Sequence, residues 1–109
     1  MKRKFSLEAL EIIAARFSLL SDASRLELLQ QLWQGERTVN ELCDLTKLNQ
    51  ANVSKHLGLL ARQGLVTKRR EGLFVHYSAG DSSSLELCRL AYDSLEKRYK
   101  RLARELADE

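Results

Sequence analysis

Apolar residues recur along this chain with two different periods, and the change of period divides it into elements. Leu10, Ile13, Phe17 and Leu20 follow at steps of three and four, with Leu7 and Ile12 widening the stripe, which predicts an amphipathic helix over 6–20. Ser21 and Asp22 interrupt the pattern, and either can cap a second helix over 23–33, with Leu26, Leu29 and Leu32 inward and Gly35 as its stop. Thr38 followed by Glu41 has the spacing of a capping box. It opens a third helix of barely two turns, whose Val39, Leu42, Cys43 and Thr46 fall on one side. Asn49 supplies a fresh cap for a fourth helix that ends near Gly64, with Val53, Leu57, Leu60 and Ala61 inward. Its outer side is then polar and holds Gln50, Asn52, Ser54, Lys55, His56 and Arg62.

From Leu65 to Ala79 the helical period is lost. Val66 and the run Thr67 to Arg70 lead to Glu71-Gly72, and Leu73 to Tyr77 has the β-branched and aromatic content of a strand. A two-stranded hairpin with its tip at residues 70–72 is expected. Gly80, Asp81 and three serines then form a loop and the cap of the last helix, which runs from about Ser84 towards the C-terminus. Along that helix Leu85, Cys88, Tyr92, Leu95, Tyr99, Leu102 and Leu106 alternate steps of three and four, a heptad seam. A domain this small cannot cover so long a seam, so the last helix should pack against the first and against the same helices of a second subunit.

The expected fold is mainly α with one small β-hairpin, a single domain over 1–109. At 109 residues there is room for one core, and 44% hydrophobic with 30% charged residues is ordinary for a globular chain. The absence of any long apolar run and of a cleavable leader pattern gives the expectation of an unprocessed cytoplasmic protein with no membrane partner. Two cysteines, Cys43 and Cys88, are too few for a disulfide framework and lack the neighbours of a structural zinc site. The net charge of +3 says little by itself. Its distribution says more: between Lys47 and His76, six basic side chains stand against the single acid Glu71. A basic excess gathered in one stretch suits a face that meets phosphates.

Three helices, a polar turn, a fourth helix, a basic hairpin and a long helix make the order of a winged helix-turn-helix. A helix about 10–12 Å across fits the DNA major groove, about 12 Å wide, where Asn and Gln pair with adenine edges and Lys or Arg with guanine. Asn49, Gln50, Asn52, Ser54, Lys55 and His56 place those chemistries on the first turns of the fourth helix, and the helix N-terminus adds free N–H groups for a phosphate. Lys68, Arg69 and Arg70 make the hairpin cationic enough to reach an adjacent phosphate or the minor groove. Against this stands the plainer reading that a polar helix face and a charged hairpin are merely solvated. An enzyme is disfavoured, since there is no Gly-rich phosphate loop, nucleophile constellation or metal-ligand spacing, and hence no catalytic residue to name. The alternative from another class is a winged-helix protein-interaction module without DNA binding, which would tend to lack the basic hairpin and the polar helix face.

The runs SDASRLELLQQL and GERTVNELCDLTKLNQANVSKHLGLLARQGLVTKRREGLFVHYS resemble the ArsR/SmtB family of bacterial repressors over about Ala15 to Ser78. Asp22-Ala23-Ser24-Arg25-Leu26, Ser54-Lys55-His56-Leu57, Leu65-Val66 and Arg69-Arg70-Glu71-Gly72 are the most telling pieces. The resemblance implies a homodimer, joined through its first and last helices, on a palindromic double-stranded DNA operator overlapping a promoter. It also implies release of that operator when an inducer binds, with no cofactor required for DNA binding itself.

The inducer is where the chain departs from the family's patterns. Members that sense arsenic, cadmium or lead through the third helix carry two cysteines, as in ELCVCDL, whereas Glu41-Leu42-Cys43-Asp44-Leu45 keeps only the first. Members that sense zinc or nickel use Asp and His pairs on the last helix, and here that helix has no histidine. Two readings of Cys43 and Cys88 stand side by side. Both lie on apolar stripes, where an unpaired cysteine behaves as a small hydrophobe. Alternatively they form a dithiol switch, which oxidation, persulfidation or a soft metal such as arsenic(III) links within or between subunits.

Overall fold

The computed structural model describes residues 3–107, as five helices and one hairpin. In chain order these are α1 (Leu7–Leu19), α2 (Ala23–Gln34), α3 (Val39–Thr46), α4 (Gln50–Arg62), β1 (Val66–Glu71), β2 (Phe74–Ala79) and α5 (Ser83–Ala107). Side-chain caps set the starts of the first four helices. Ser6, Asp22, Thr38 and Asn49 each accept the backbone N–H three residues on, which satisfies one of the donors a helix start leaves unpaired. At Thr38 the box is complete, since Glu41 accepts the Thr38 N–H at 2.9 Å.

The core is a cluster of Leu28, Leu29 and Leu32 from α2, Leu42 from α3, Val53, Leu57 and Leu60 from α4, and Leu65 and Val66 at the start of the hairpin. Leu28 joins this cluster, whereas Leu26, expected inward, is only half-buried, so α2 is rotated slightly from the simplest leucine stripe. Its first turn is instead used to hold α1. The Arg25 guanidinium donates to the Leu19 and Ser18 carbonyls and so caps the end of the preceding helix.

α3 and α4 are joined by Lys47, Leu48 and Asn49. Lys47 closes α3 in the left-handed region at φ 64°, donating its N–H to the Cys43 carbonyl. Buried Thr46 sets the bend, donating to the Leu42 carbonyl at 2.6 Å and accepting the Leu48 N–H.

The hairpin pairs Val66 with Ala79 and so on outward to Glu71 with Phe74, which leaves Gly72-Leu73 as the turn, not residues 70–72. A two-residue hairpin turn of the primed type needs positive φ at its first central position, and Gly72 supplies it at 62°. Arg37 adds a single isolated bridge to β2: its N–H donates to the Tyr77 carbonyl and its carbonyl accepts the Tyr77 N–H, at 2.9 and 2.7 Å. At the base of the hairpin Gly80 donates to Leu65, and a Cβ at Gly80 would lie 2.2 Å from the Gly64 carbonyl oxygen.

α1 and α5 stand apart from this arrangement. No residue of α1 is buried, and of α5 only Ser84 is, held by a hydrogen bond from the Trp33 indole at 3.3 Å. Beyond that anchor Tyr92, Leu95, Tyr99 and Leu106 are exposed, as are Leu7, Leu10, Ile12 and Phe17 of α1. The seam predicted on the last helix is therefore present but uncovered within one protomer. The radius of gyration is 17.4 Å, against about 13 Å for a compact chain of similar length.

Two substitutions test this packing. Leu57→Ala empties fully buried volume between α2, α3 and α4 and should cost about 2–5 kcal/mol in urea unfolding. Gly80→Ala should cost about 1–3 kcal/mol although it adds a single methyl, because backbone must move to admit it.

Candidate nucleic-acid interface

Because Val53, Leu57 and Leu60 are buried, the opposite side of α4 is turned outward, and Gln50, Asn52, Ser54 and Lys55 are all exposed on it. Asn49 is exposed too, but its side-chain oxygen is occupied in capping Asn52 at 2.8 Å. His56 departs from expectation. It is half-buried, its Nδ1 is shielded and without a hydrogen-bond partner among the described residues, and it lies near Asp22, the N-cap of α2. The imidazole thus lies along the seam between α4 and the start of α2, because position 56 is three residues after the inward Val53 and four before the inward Leu60.

The hairpin stands beside the N-terminus of α4. Gln50, Thr38, Asn40, Leu73 and Val75 line one shallow groove, so the hairpin tip and the first turns of α3 and α4 present a continuous surface. At its apex Leu73 is 94% exposed.

Strand alternation divides the cations of the hairpin between its two faces. Lys68 and Arg70 pair with Tyr77 and Val75 on the face that carries Val66 into the core, and both are exposed. Among the described residues neither forms an ion pair. Arg69 points the other way, opposite His76. Its guanidinium donates through Nε and Nη2 to both oxygens of Glu36, at 3.0 and 2.6 Å, and through Nη1 to Glu71 at 2.7 Å. Glu36 also accepts the Ser78 hydroxyl at 3.1 Å. His76 completes the group, with Nδ1 3.7 Å from Glu36 and Nε2 3.9 Å from Glu71. Sequence reading missed this cluster, which joins Glu36, just past α2, to residues more than thirty positions later. Its only trace in the sequence was the alternation that separates Arg69 from its two neighbours.

The Arg69 hydrogen bonds are the main reason that the Glu36 and Glu71 carboxyls lie below their ordinary value, and they raise the guanidinium in turn. On α3, the hydrogen bond from the Thr38 N–H lowers Glu41.

Cys43 packs against the core cluster from α3, and Cys88 is half-buried on α5, where burial pushes its thiol up. A raised thiol carries less thiolate at neutral pH, and the thiolate is the reactive form. Among the described residues no three His, Cys, Asp or Glu side chains are gathered so as to hold a metal ion, and no helix is long and apolar enough to cross a membrane.

A capped helix pair, an outward polar second helix and a β-hairpin at its side define a winged helix-turn-helix. Residues 22–68 match the family described as "Bacterial regulatory protein, arsR family". The chain is 37% identical over 92 residues to the "Transcriptional repressor SmtB homolog" of Synechocystis sp., which covers 84% of this chain and 70% of that one. It therefore belongs to the ArsR family of bacterial regulatory proteins, a family of regulators and not of enzymes. It is also 41% identical over 75 residues to the "Probable mercury resistance operon repressor" of Streptomyces lividans, a match spanning 69% of this chain and 60% of that protein's length. Among solved structures, the homodimeric winged helix-turn-helix DNA-binding domain Mb0332 of Mycobacterium bovis superposes with a TM-score of 0.75 at 28% identity, covering 93% of this chain and 95% of that one.

The lowered carboxyls give a pH dependence with a definite sign. A carboxyl with a lower value in the folded state contributes stability that is complete above its ordinary 4.5 and is lost as pH falls through the lower folded value. Thermal unfolding should therefore be flat near neutrality and decline below about pH 4.5, and Glu36→Gln should make that decline shallower.

Proposed function

We propose that this chain is a homodimeric, sequence-specific transcriptional repressor that binds a palindromic DNA operator and leaves it when an inducer binds. The observation that carries the reading is the polar outer face of α4, set beside a cationic wing in a chain of this family. Gln50, Asn52, Ser54 and Lys55 read base edges in the major groove, and the first backbone N–H groups of α4, capped by Asn49, lie against a phosphate. Lys68 and Arg70 hold phosphates beside the half-site. His56 supports α4 from its flank and makes no base contact.

Dimerisation follows from the apolar surface left open on α1 and α5, which a second copy would cover, and it is supported by the homodimeric relative of known structure. Two copies of α4 then face successive turns of one duplex, with half-sites about 34–36 Å apart or a multiple of that distance.

The inducer is a thiol-reactive species or a soft metal, with Cys43 and Cys88 as the residues it meets. This rests on relatives described as repressors of mercury and arsenical resistance operons. The burial of both side chains favours the competing view that they only pack.

Selection of duplexes from a random pool, followed by binding across a salt series, tests the reading. The selected sites should show two-fold symmetric half-sites, and log K should fall with log salt at a slope of about −0.9 per phosphate neutralised. Lys68→Ala with Arg70→Ala should make that slope shallower, whereas Lys55→Ala should cost about tenfold in preference for the selected base over its competitors. A flat salt response and no enriched sequence would identify a protein-interaction module instead.

For the switch, Cys43→Ser combined with Cys88→Ser should leave DNA affinity unchanged and abolish release by arsenite, cadmium or persulfide. Release that survives in this double variant returns both cysteines to the core.

A further inference from the structure

We infer that Arg69 is a positioning residue for DNA binding: held by Glu36 and Glu71, it fixes the angle of the wing against the helix-turn-helix and makes no phosphate contact itself. This rests on the DNA-binding reading above and adds to it a function for the cluster at the base of the wing.

Two ties join the wing to the segment between α2 and α3. The Arg37–Tyr77 backbone pair sets their separation, but one bridging pair leaves the hairpin able to rock about it. The Arg69–Glu36 fork lies one residue pair further out, opposite His76, where it resists that rocking. A guanidinium has five N–H donors in a rigid plane, and three of them are used here on two carboxylates. Glu36 meanwhile holds β1 through Arg69 and β2 through Ser78, so a single carboxylate grips both strands.

The charge balance argues the same way. Two carboxylates, Glu36 and Glu71, stand against the single guanidinium of Arg69, so its charge is already matched within the cluster. Its favourable contribution can come only through geometry, by keeping Lys68 and Arg70 on the side of α4.

Glu36→Gln separates the two roles by sign. If Arg69 contacted phosphate, removing Glu36 would release the guanidinium and delete a negative charge near DNA, so binding would hold or tighten. As a strut it should instead weaken binding of the pool-selected duplex, by about threefold per wing and about tenfold for a dimer. Arg69→Lys keeps the charge but cannot form the fork, and should lose a similar factor. In both variants, and in Arg69→Ala, the slope of log K against log salt should equal that of the parent, because no phosphate contact is removed. Far-UV circular dichroism and urea midpoints establish that each variant is folded.

Equal or tighter binding by Glu36→Gln, or a slope shallower by about 1.8 per dimer in Arg69→Ala, overturns the inference. A parent protein with a steep salt slope beside an unaffected Glu36→Gln removes this inference alone. A parent with a flat slope removes the DNA-binding reading along with it.

Discussion

Burial of Val53, Leu57 and Leu60 against α2 and α3 fixes the rotation of α4 about its own axis, and the rest of the surface is defined by that rotation. With the inward side chains fully shielded, any turn of the helix would expose leucine and bury Gln50, Ser54 or Lys55 without partners. The same core reaches Leu65 and Val66, so the hairpin begins from a fixed point at the foot of α4. Core and polar outer face are thus two aspects of one constraint.

The wing is positioned by polar contacts as well as by burial. Val66, Tyr77 and Ala79 pack its inner half against the core, and the backbone pairing at Arg37 and the carboxylates of Glu36 and Glu71 add to that hold. This leaves the outer wing governed by groups that respond to pH and salt, while α4 is governed by groups that do not. α1 and α5 show a third regime, in which an apolar surface is left without cover within the described chain.

Most of the fold could be read in the sequence because each helix carries both its own cap and its own period. Thr38 with Glu41, Asn49 before Val53 and Asp22 before the α2 leucines are local signals, and local signals survive folding. The misreadings share a different cause. Leu26 and Leu28 are equally apolar, and only the neighbouring helices decide which faces inward. The hairpin turn moved to Gly72-Leu73 because register is set by the whole ladder from Val66 to Ala79. His56 looked like an outward polar residue because 3.6 residues per turn leave flank positions undecided until a neighbour such as α2 is in place. Arg69, grouped in sequence with Lys68 and Arg70, was parted from them by strand alternation and claimed by Glu36, a partner that no short-range pattern names.

The wing has one edge closed, where β2 pairs with Arg37, and one edge open, along β1. An open strand edge is a template on which other chains can add, and in a small β-sheet it is the usual starting point for aggregation. Here that edge carries Lys68 and Arg70, both exposed, whose repulsion with any identical edge discourages strand addition. The same cations proposed to hold phosphate therefore also guard the strand edge, and replacing them would remove a safeguard against self-association at the same time.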